Sequence, residues 1–323
     1  MRCPSLAELP APPRGKTGWP WTLESPYLPD TRPNRKPWPR ISIVTPSFNQ
    51  CQFIEETIRS VLLQGYPNLE YIIIDGASDD ASVELVKRYE PWLSHWVSEH
   101  DRGQSHAINK GFEKASGDIF SWINSDDMLF YGCASKVGLC HIRDKNSLYY
   151  GDSATISSDD NCVLYDIAKP VKPTFLNRPA LIYQHGTFWD ANAHQKIDEE
   201  LNLGMDFDLW LRLVPNLDRL VYLRYPTGIN VSRPDTKTRD VKLREAWTFE
   251  YNKIIRQYCL QEDSNYDWRK IEFILRRKYR RLFYPNLSKN IQMIDDFVAK
   301  PRDFKLVSYR QREQIRKLCA SNA

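Results

Sequence analysis

The stretch Ile119-Phe120-Ser121-Trp122-Ile123-Asn124-Ser125-Asp126-Asp127 decides the fold of this chain. Its first five residues form an apolar run that is typical of a buried strand. The two adjacent carboxylates at its end repel each other and would cost desolvation energy if they were packed away, so they need either water or a divalent cation. The stretch therefore predicts a buried strand whose carboxyl end carries an acidic turn suited to a ligand.

Three upstream segments repeat this pattern of an apolar run that ends in polar or acidic residues. The runs are Ile41–Val44, Tyr71–Ile74 and, more weakly, Leu93–Ser98. Predicted helices separate them, and this alternation indicates βαβ units and a mostly parallel sheet. Because the carboxyl ends of parallel strands lie on one edge, we expect a carboxylate-rich cleft there. The segments expected to line it are Thr45–Asn49, Asp75–Asp80, Glu99–Gly103 and Asn124–Asp127.

Helix signals separate and follow these strands. Asn49 is expected to cap the first helix, Asp79 or Asp80 the second, and a third spans about Ser105–Lys114. Later in the chain the pattern predicts two strands that could form one hairpin, an amphipathic helix and a further strand. These later elements are Leu148–Tyr150, Val163–Asp166, Phe207–Val214 and Leu220–Leu223.

The bulk composition excludes several classes of protein. The chain has 323 residues, 41% of them hydrophobic and 27% charged, and its net charge of +4 is too small to indicate a nucleic-acid partner. Seven scattered cysteines cannot all pair internally and lack zinc-finger spacing, which favours a reducing cytoplasm. No apolar run approaches the roughly 18 residues of a membrane span, so we expect a cytoplasmic protein, with contact at the inner face of the membrane left open.

Two common nucleotide-binding signatures are missing from the sequence. No Gly-x-Gly-x-x-Gly follows the first strand, and no Gly-Lys-Ser/Thr phosphate loop occurs. A metal ion that bridges a diphosphate to aspartates is the economical design that remains.

In these features the chain resembles the family 2 glycosyltransferases, which have the nucleotide-sugar-binding GT-A fold. The resemblance covers roughly residues 40–235, and it rests on several motifs in one order rather than on a single match. The matching segments are Ser42–Asn49, Ile74–Asp80, Asp101–Ser105, Ala107–Gly111, Gly117–Asp127 and Met205–Leu213.

The resemblance implies a role for individual residues. Asp75 would meet the base, and Asp126 and Asp127 would hold Mg²⁺ or Mn²⁺ against the diphosphate. Asp206 would be the catalytic base that deprotonates the acceptor hydroxyl, in one displacement with inversion. The implied nucleotide-sugar residues are Thr45, Pro46, Asn49, Asp75, Asp101, Arg102, Asn109 and Asp126.

The chain departs from the family pattern at two places. Asn124 stands where the family often has an aspartate, which weakens the charge available to a metal. The histidine that often follows the last strand is missing from Asn230–Lys237, where Arg233 or Lys237 would instead meet the diphosphate. On the acceptor side we expect His185, Trp189 and Arg233.

Each of these interpretations has a simpler alternative. Asp126 and Asp127 could form a solvated turn, and Asp206 could only complement the dipole of its helix. Asp75 could be a turn residue, and His185 could be a buried structural histidine.

The chain divides into three predicted parts. Residues 1–39 form a Pro-rich arm, because ten of the 21 prolines lie in residues 1–40. Residues 40–238 form the GT-A domain, with a nucleotide-sugar half at 40–127 and an acceptor half at 128–238. Residues 239–323 form a helical extension, whose basic and aromatic segment Trp268–Tyr284 could pack on the domain or lie on an anionic membrane.

The predicted function is transfer of a sugar from a nucleotide-diphosphate donor to a carbohydrate or lipid-linked acceptor, in polysaccharide or glycoconjugate synthesis. A sugar nucleotidyltransferase is one alternative, but it would normally carry a Gly-rich, basic loop after the first strand. The other is a non-catalytic carbohydrate- or nucleotide-binding protein on the same fold. We expect no nucleic-acid partner and leave a homo-oligomer open.

Overall fold

The centre of the molecule is a mixed β-sheet with helices on both faces. A computed structural model describes residues 2–157, 162–166, 168, 182–234, 236–237, 239–258 and 305–306. Within these ranges the main path of the sheet joins, in this order, the strands Lys305–Leu306, Cys162–Asp166, Ser147–Ser157, Phe188–Asp190, Ile119–Trp122, Ile41–Ser47, Leu69–Asp75 and His95–Ser98.

Four parallel strands carry the functional edge of the sheet. They are β1 (Ile41–Ser47), β2 (Leu69–Asp75), β3 (His95–Ser98) and β4 (Ile119–Trp122). Ser47 pairs with Asp75, and Asp75 pairs with Ser98, so the carboxyl ends of these strands meet at one edge as predicted. Three helices connect them: α1 (Ile54–Leu62), α2 (Ser82–Tyr89) and α3 (Gln104–Lys114).

The remaining strands extend the sheet beyond β4, mostly in antiparallel pairs. The first part of this region contains β5 (Met128–Leu129), α4 (Cys133–Arg143), β6 (Ser147–Ser157), β7 (Cys162–Asp166) and β8 (Phe188–Asp190). The second part contains α5 (Met205–Leu213), β9 (Arg219–Ser232), α6 (Arg244–Gln257) and β10 (Lys305–Leu306). β6 and β7 form the predicted hairpin, and β9 is far longer than the four residues expected because it runs parallel to β6 along nearly all of that strand.

The alternation of side chains along the buried strands builds one apolar core on each face of the sheet. Ile41 and Ile43 join the core on one face, whereas Val44 joins the core on the other. A Cβ at Gly111 of α3 would lie 2.3 Å from Val44 Cγ1, so only glycine allows this helix to lie so close to β1.

The Pro-rich arm packs on α1 through its tryptophans. The Trp19 indole donates to the Leu129 carbonyl at 2.9 Å, and the Trp21 indole donates to Glu56 Oε1 at 2.9 Å. Arg59 of α1 is fully buried and donates to three arm carbonyls, those of Pro10, Pro20 and Trp21, at 2.8–3.1 Å. The arm is therefore joined to the domain by a buried guanidinium as well as by apolar contacts.

The helix caps differ from those expected. Asn49 does not cap α1, which begins five residues later at Ile54. Instead Asn49 has a φ of 52°, and its Oδ1 accepts from Asp79 N at 3.0 Å. Asp79 is therefore not a cap, whereas Asp80 Oδ1 accepts from Ser82 N at 2.8 Å at the start of α2. The predicted cap at Asn49 was wrong because this residue has a left-handed backbone and its side chain binds the turn after β2.

The described part of the C-terminal extension consists of residues 239–258, which contain α6, and of β10. Ile254 and Ile255 of this helix are buried in the same apolar core as α5, so α6 packs on the domain. The basic segment 268–284 lies outside the described residues. Within the ranges that the structure describes, no helix combines the length and hydrophobicity needed to cross a membrane.

Candidate functional site

A cleft of about 810 Å³ opens at the carboxyl ends of the four parallel strands. The loop after β1 forms one wall, and the acidic turn after β4 forms the floor. The far side is closed by Asn230 of β9 and by Arg233, Thr236 and Lys237 after it. Of the predicted site residues, the structure brings six to this cleft: Pro46, Asn49, Asp101, Asp126, Asp127 and Arg233.

The wall after β1 presents an aromatic ring to solvent. Phe48 lines the cleft and is 60% exposed, which is unusual for phenylalanine. Beside it, a Cβ at Gly76 would lie 2.8 Å from Asp101 Oδ2. Glycine at this position therefore lets the turn after β2 approach Asp101, whose Oδ1 accepts from Gly103 N at 2.7 Å.

The floor of the cleft contains the two adjacent carboxylates. Asp127 is 3% exposed; its Oδ1 accepts from Asn230 Nδ2 at 2.9 Å and its Oδ2 from Asn124 Nδ2 at 3.3 Å. Burial and the charge of Asp126 raise the pKa of Asp127 well above its usual range, against these amide hydrogen bonds. A positive charge brought to the floor would reverse this shift.

Asn124 connects the floor to the far side of the cleft. Lys237 Nζ donates to Gln104 Oε1 at 2.8 Å, and Gln104 Nε2 donates to Asn124 Oδ1 at 2.7 Å. Asn124 then donates to Asp127, which an ionised aspartate at this position could not do. Asparagine at residue 124, where the family often has aspartate, therefore has a physical explanation. Its amide can accept from Gln104 and donate to Asp127 at the same time.

Two cations face the carboxylates. Arg233 Nη2 lies 3.1 Å from Asp126 Oδ2, and the Arg233 guanidinium lies 3.7 Å from the centroid of the Phe53 ring. Burial lowers the pKa of Lys237, against the charges of Glu250 and Asp126. The cleft thus holds positive charge as well as carboxylates, as a diphosphate requires.

The described residues contain no cluster of three or more His, Cys, Asp or Glu side chains arranged to hold a metal. Asp126 and Asp127 alone offer carboxylate oxygens at the floor. Mg²⁺ is commonly bound by one or two carboxylates, with substrate phosphates and water completing its coordination. The residues present fit such an ion only when a diphosphate supplies the other ligands.

Asp206 lies at the start of α5, four residues after Asn202, which lines the cleft. Its Oδ1 accepts from Phe207 N at 2.8 Å. Burial raises the pKa of Asp206 to about 6, against the backbone hydrogen bonds that stabilise the charged form. A carboxyl group with this pKa can accept a proton near neutral pH.

Arg102 and Asn109 lie away from the cleft wall and bind the segment that leads to Asp206. Asn109 Nδ2 donates to the Ile197 carbonyl at 2.9 Å and to Glu199 Oε1 at 3.0 Å, and Arg102 donates to Glu199 Oε2. Although partial burial opposes it, these hydrogen bonds lower the pKa of Glu199 to about 2. The two residues therefore bind the segment at 197–199 and are not among the residues that line the cleft.

Thr45 and Asp75 are fully buried rather than exposed in the cleft. The Thr45 hydroxyl lies 3.0 Å from the Tyr71 hydroxyl. Asp75 accepts from the hydroxyls of Ser78 and Ser98 and from Ser78 N, at 2.6–2.9 Å. Asp75 therefore orients the turn after β2, which is the simpler alternative given above.

The expectation that Trp189 lines an acceptor site is contradicted by its position. Trp189 is fully buried between Trp122 and Trp210, with ring centroids 5.7 Å from each. His185 is held 2.5 Å from the Ser153 hydroxyl, and burial lowers the pKa of His185 to about 4. His185 thus takes the structural alternative given above, and Trp189 also lies in the core, because the polar and aromatic run that suggested a binding wall enters the core at β8.

Sequence reasoning missed three residues that shape the site. Phe48 had a local signal, an aromatic residue between polar neighbours directly after a strand. Asn230 had none, because it meets Asp127 only through the pairing of β9 with β5. Glu250 also had none, since it reaches the segment before Asp206 from a helix 46 residues further along the chain.

Comparison with known proteins finds one family whose model matches part of the chain. Residues 42–161 match the family described as Glycosyl transferase family 2. An uncharacterized glycosyltransferase of Mycobacterium tuberculosis is 39% identical over 90 residues, which are 28% of this chain and 34% of the relative. A candidate teichuronic acid biosynthesis glycosyltransferase of Bacillus subtilis, TuaG, is 38% identical over 92 residues, 28% of this chain and 36% of TuaG. The matched region thus spans about a third of each relative.

A solved structure shows the same fold. The crystal structure of S. aureus TarS in complex with UDP-GlcNAc matches with a TM-score of 0.57 and 14% identity, over 80% of this chain and 77% of that one. The predicted GT-A fold is confirmed.

Proposed function

We propose that this chain transfers a sugar from a nucleotide-diphosphate donor to an acceptor hydroxyl with inversion, because residues 42–161 match the glycosyl transferase family 2. The observation that carries the proposal is the composition of the cleft. It combines the two adjacent carboxylates of the acidic turn with two cations and an exposed aromatic ring at the carboxyl ends of parallel strands, where open α/β sheets bind their ligands.

In this proposal each wall of the cleft binds one part of the donor. The base stacks on Phe48 near the turn at Gly76, and Arg233 and Lys237 take the diphosphate. A Mg²⁺ or Mn²⁺ ion at Asp126 and Asp127, when bound, neutralises the charge of the leaving diphosphate. UDP-GlcNAc, the ligand of the TarS structure, is the first donor to test.

The proton of the acceptor hydroxyl passes to Asp206. An ionised Asp206 accepts it while the hydroxyl oxygen attacks the anomeric carbon and the nucleoside diphosphate leaves. A single displacement inverts the anomeric centre. We propose a carbohydrate or lipid-linked acceptor in polysaccharide or glycoconjugate synthesis, met in the cytoplasm and, if lipid-linked, at the inner face of the membrane.

We expect one nucleotide from a panel of UDP, GDP, dTDP and CDP to raise the melting temperature, and to do so more strongly with Mn²⁺. A ligand at 100 times its Kd stabilises the native state by about 2.7 kcal/mol. Asp126→Asn and Asp127→Asn should each remove the metal-dependent part of the shift, whereas Asp218→Asn, an exposed aspartate after α5, should retain it. Absence of a shift with every nucleotide would favour the non-catalytic alternative.

We also expect Phe48→Ala to weaken binding of that nucleotide by roughly 10- to 100-fold, because stacking on an aromatic side chain contributes about 1–3 kcal/mol per base. Isothermal titration calorimetry of the nucleoside diphosphate measures the change. Phe249→Ala is the matched control, since Phe249 is 71% exposed on α6 and away from the cleft. Equal affinities for the Phe48→Ala protein and the wild type would exclude stacking on this ring.

A further inference from the structure

Glu250 of α6 binds three consecutive backbone N–H groups just before the proposed base. Its Oε2 accepts from Asn202 N at 3.2 Å, Leu203 N at 2.9 Å and Gly204 N at 3.0 Å. Successive N–H groups that converge in this way form an anion-binding concavity, and here they precede the N-terminus of α5, where the helix dipole also favours negative charge. One carboxylate therefore fixes the backbone of the segment Asn202–Gly204.

α6 and the residue after it, Tyr258, also contact residues that follow this segment. The Tyr251 ring stacks on Phe207 at 5.8 Å, and the Tyr258 hydroxyl donates to Asp208 Oδ1 at 2.7 Å. A Cβ at Gly204 would lie 2.8 Å from Ile254 Cδ1, so the helix and the segment are in close contact. These contacts define the position of the first turn of α5, to which Asp206 belongs.

The residues just before this segment are bound by α3. The Ser105 hydroxyl donates to the Leu201 carbonyl at 2.7 Å. The Asn109 side chain accepts from Ile197 N at 2.8 Å and donates to the Ile197 carbonyl at 2.9 Å. The segment 197–204 is thus held between α3 and α6. Of the two helices, only α6 lies outside the matched residues 42–161.

The Glu250 contacts also reach the cleft. Asn202 lines the cleft. Its backbone N–H donates to Glu250, and its backbone carbonyl accepts from Lys237 Nζ at 3.3 Å. Trp247 of α6 donates through its indole to the Lys237 carbonyl at 3.2 Å. A displacement of α6 would therefore move the proposed base and the loop that carries Lys237 together.

We propose that Glu250 is a positioning residue for the transfer reaction, which holds the segment Asn202–Gly204 so that Asp206 meets the acceptor hydroxyl. This inference rests on the proposed function. It assigns to α6 a part in the active site that neither the motifs nor the family match indicate. Glu250 acts through the backbone and does not touch the substrate.

The test compares Glu250→Ala and Glu250→Gln in the full chain, with release of UDP from UDP-GlcNAc as the first assay and the other nucleotide sugars as alternatives. Glu250→Ala should lower kcat by about 10²-fold, the size of effect known for a misplacement near 1 Å. The KM for the donor should change far less, because Gln104 and Trp247 still bind Lys237. Glu250→Gln should recover much of kcat, because its amide oxygen can still accept from the N–H groups. Glu245→Gln, an exposed change on the same helix, should match the wild type.

The melting temperatures of all variants are measured, so that a loss of kcat in a folded protein can be separated from unfolding. An active wild type with an equally active Glu250→Ala variant would overturn the positioning role and leave the proposed function intact. A parallel loss of donor affinity and kcat, without rescue by glutamine, would also overturn it in favour of a general structural role. A wild type that releases no nucleoside diphosphate from any donor would overturn the proposed function and this inference with it.

Discussion

Replacing Asp206 by asparagine is expected to lower kcat by about 10²–10⁴-fold, the range typical of general base catalysis. Asparagine keeps the size of the side chain and can still accept from Phe207 N, but it cannot take a proton. Because Asp206 lies outside the donor cleft, binding of the nucleoside diphosphate should not change. Steady-state kinetics and a nucleotide titration on the same protein measure the two effects.

The pH dependence of kcat gives a second check on the same residue. Burial raises the pKa of Asp206 to about 6, so the carboxylate is ionised and active above this pH and becomes protonated below it. We expect kcat to fall about tenfold for each pH unit below 6, as a single required ionisation demands. An ordinary exposed aspartate would place this decline near pH 4.

Asp208 is the matched control for this substitution. It lies two residues further along α5, is 1% exposed and is bound by Arg212 at 2.6 Å and by the Tyr258 hydroxyl at 2.7 Å. Asp208→Asn should lower the free energy of unfolding by about 1–3 kcal/mol, the cost of weakening buried charged hydrogen bonds. Its kcat should change far less than that of Asp206→Asn. If Asp206→Asn instead loses about 0.3–1 kcal/mol of stability and keeps its kcat, Asp206 only complements the helix dipole.

The second large effect concerns stability. Arg59→Met is expected to lower the free energy of unfolding by about 3–5 kcal/mol, because it removes one partner of a buried charged network. Three arm carbonyls and the Tyr89 hydroxyl would lose their donor inside the protein, and the guanidinium that lies 5.2 Å from the Trp21 ring would be lost as well. Urea denaturation followed by tryptophan fluorescence measures the change.

Arg88→Met is the control for this prediction. Arg88 lies on α2, is 47% exposed and is 3.6 Å from Glu55, so its loss should cost no more than about 1 kcal/mol. Equal stabilities for Arg59→Met and the wild type would show that the arm is not joined to the domain through this residue. A large loss for Arg59→Met alone would show that residues 2–39 contribute to folding.

The parallel half of the fold could be predicted from the sequence because its signals are local. Ile41–Val44, Tyr71–Ile74 and Ile119–Ile123 are short apolar runs that end in polar turns, and the structure places a strand at each. The long β9 could not be predicted in the same way. Its residues owe their strand conformation to pairing with β6, a partner more than 60 residues away.

The positions of the predicted site residues depend on two kinds of signal in the sequence. The acidic turn Asp126-Asp127 and the loop after β1 are found at one cleft, because strand order alone brings them together. Asp75 and Trp189 were placed at a site from residue type, yet burial decides their environment, and burial depends on helices and strands packed from elsewhere. Thus the sequence predicts which segments meet more reliably than it predicts which side chains reach the surface.

The close contact of α3 with β1 at Gly111 has a consequence for the spacing of the two substrates. Gln104 of this helix reaches the acidic turn through Asn124, whereas Asn109 binds the segment that leads to Asp206. A helix rises about 1.5 Å per residue, so these two attachment points lie roughly 7.5 Å apart along one rigid rod. In the proposed reaction this length of helix sets the distance between the acidic turn, which faces the leaving diphosphate, and the segment that carries the proposed base, so the donor and the acceptor must together fit that distance.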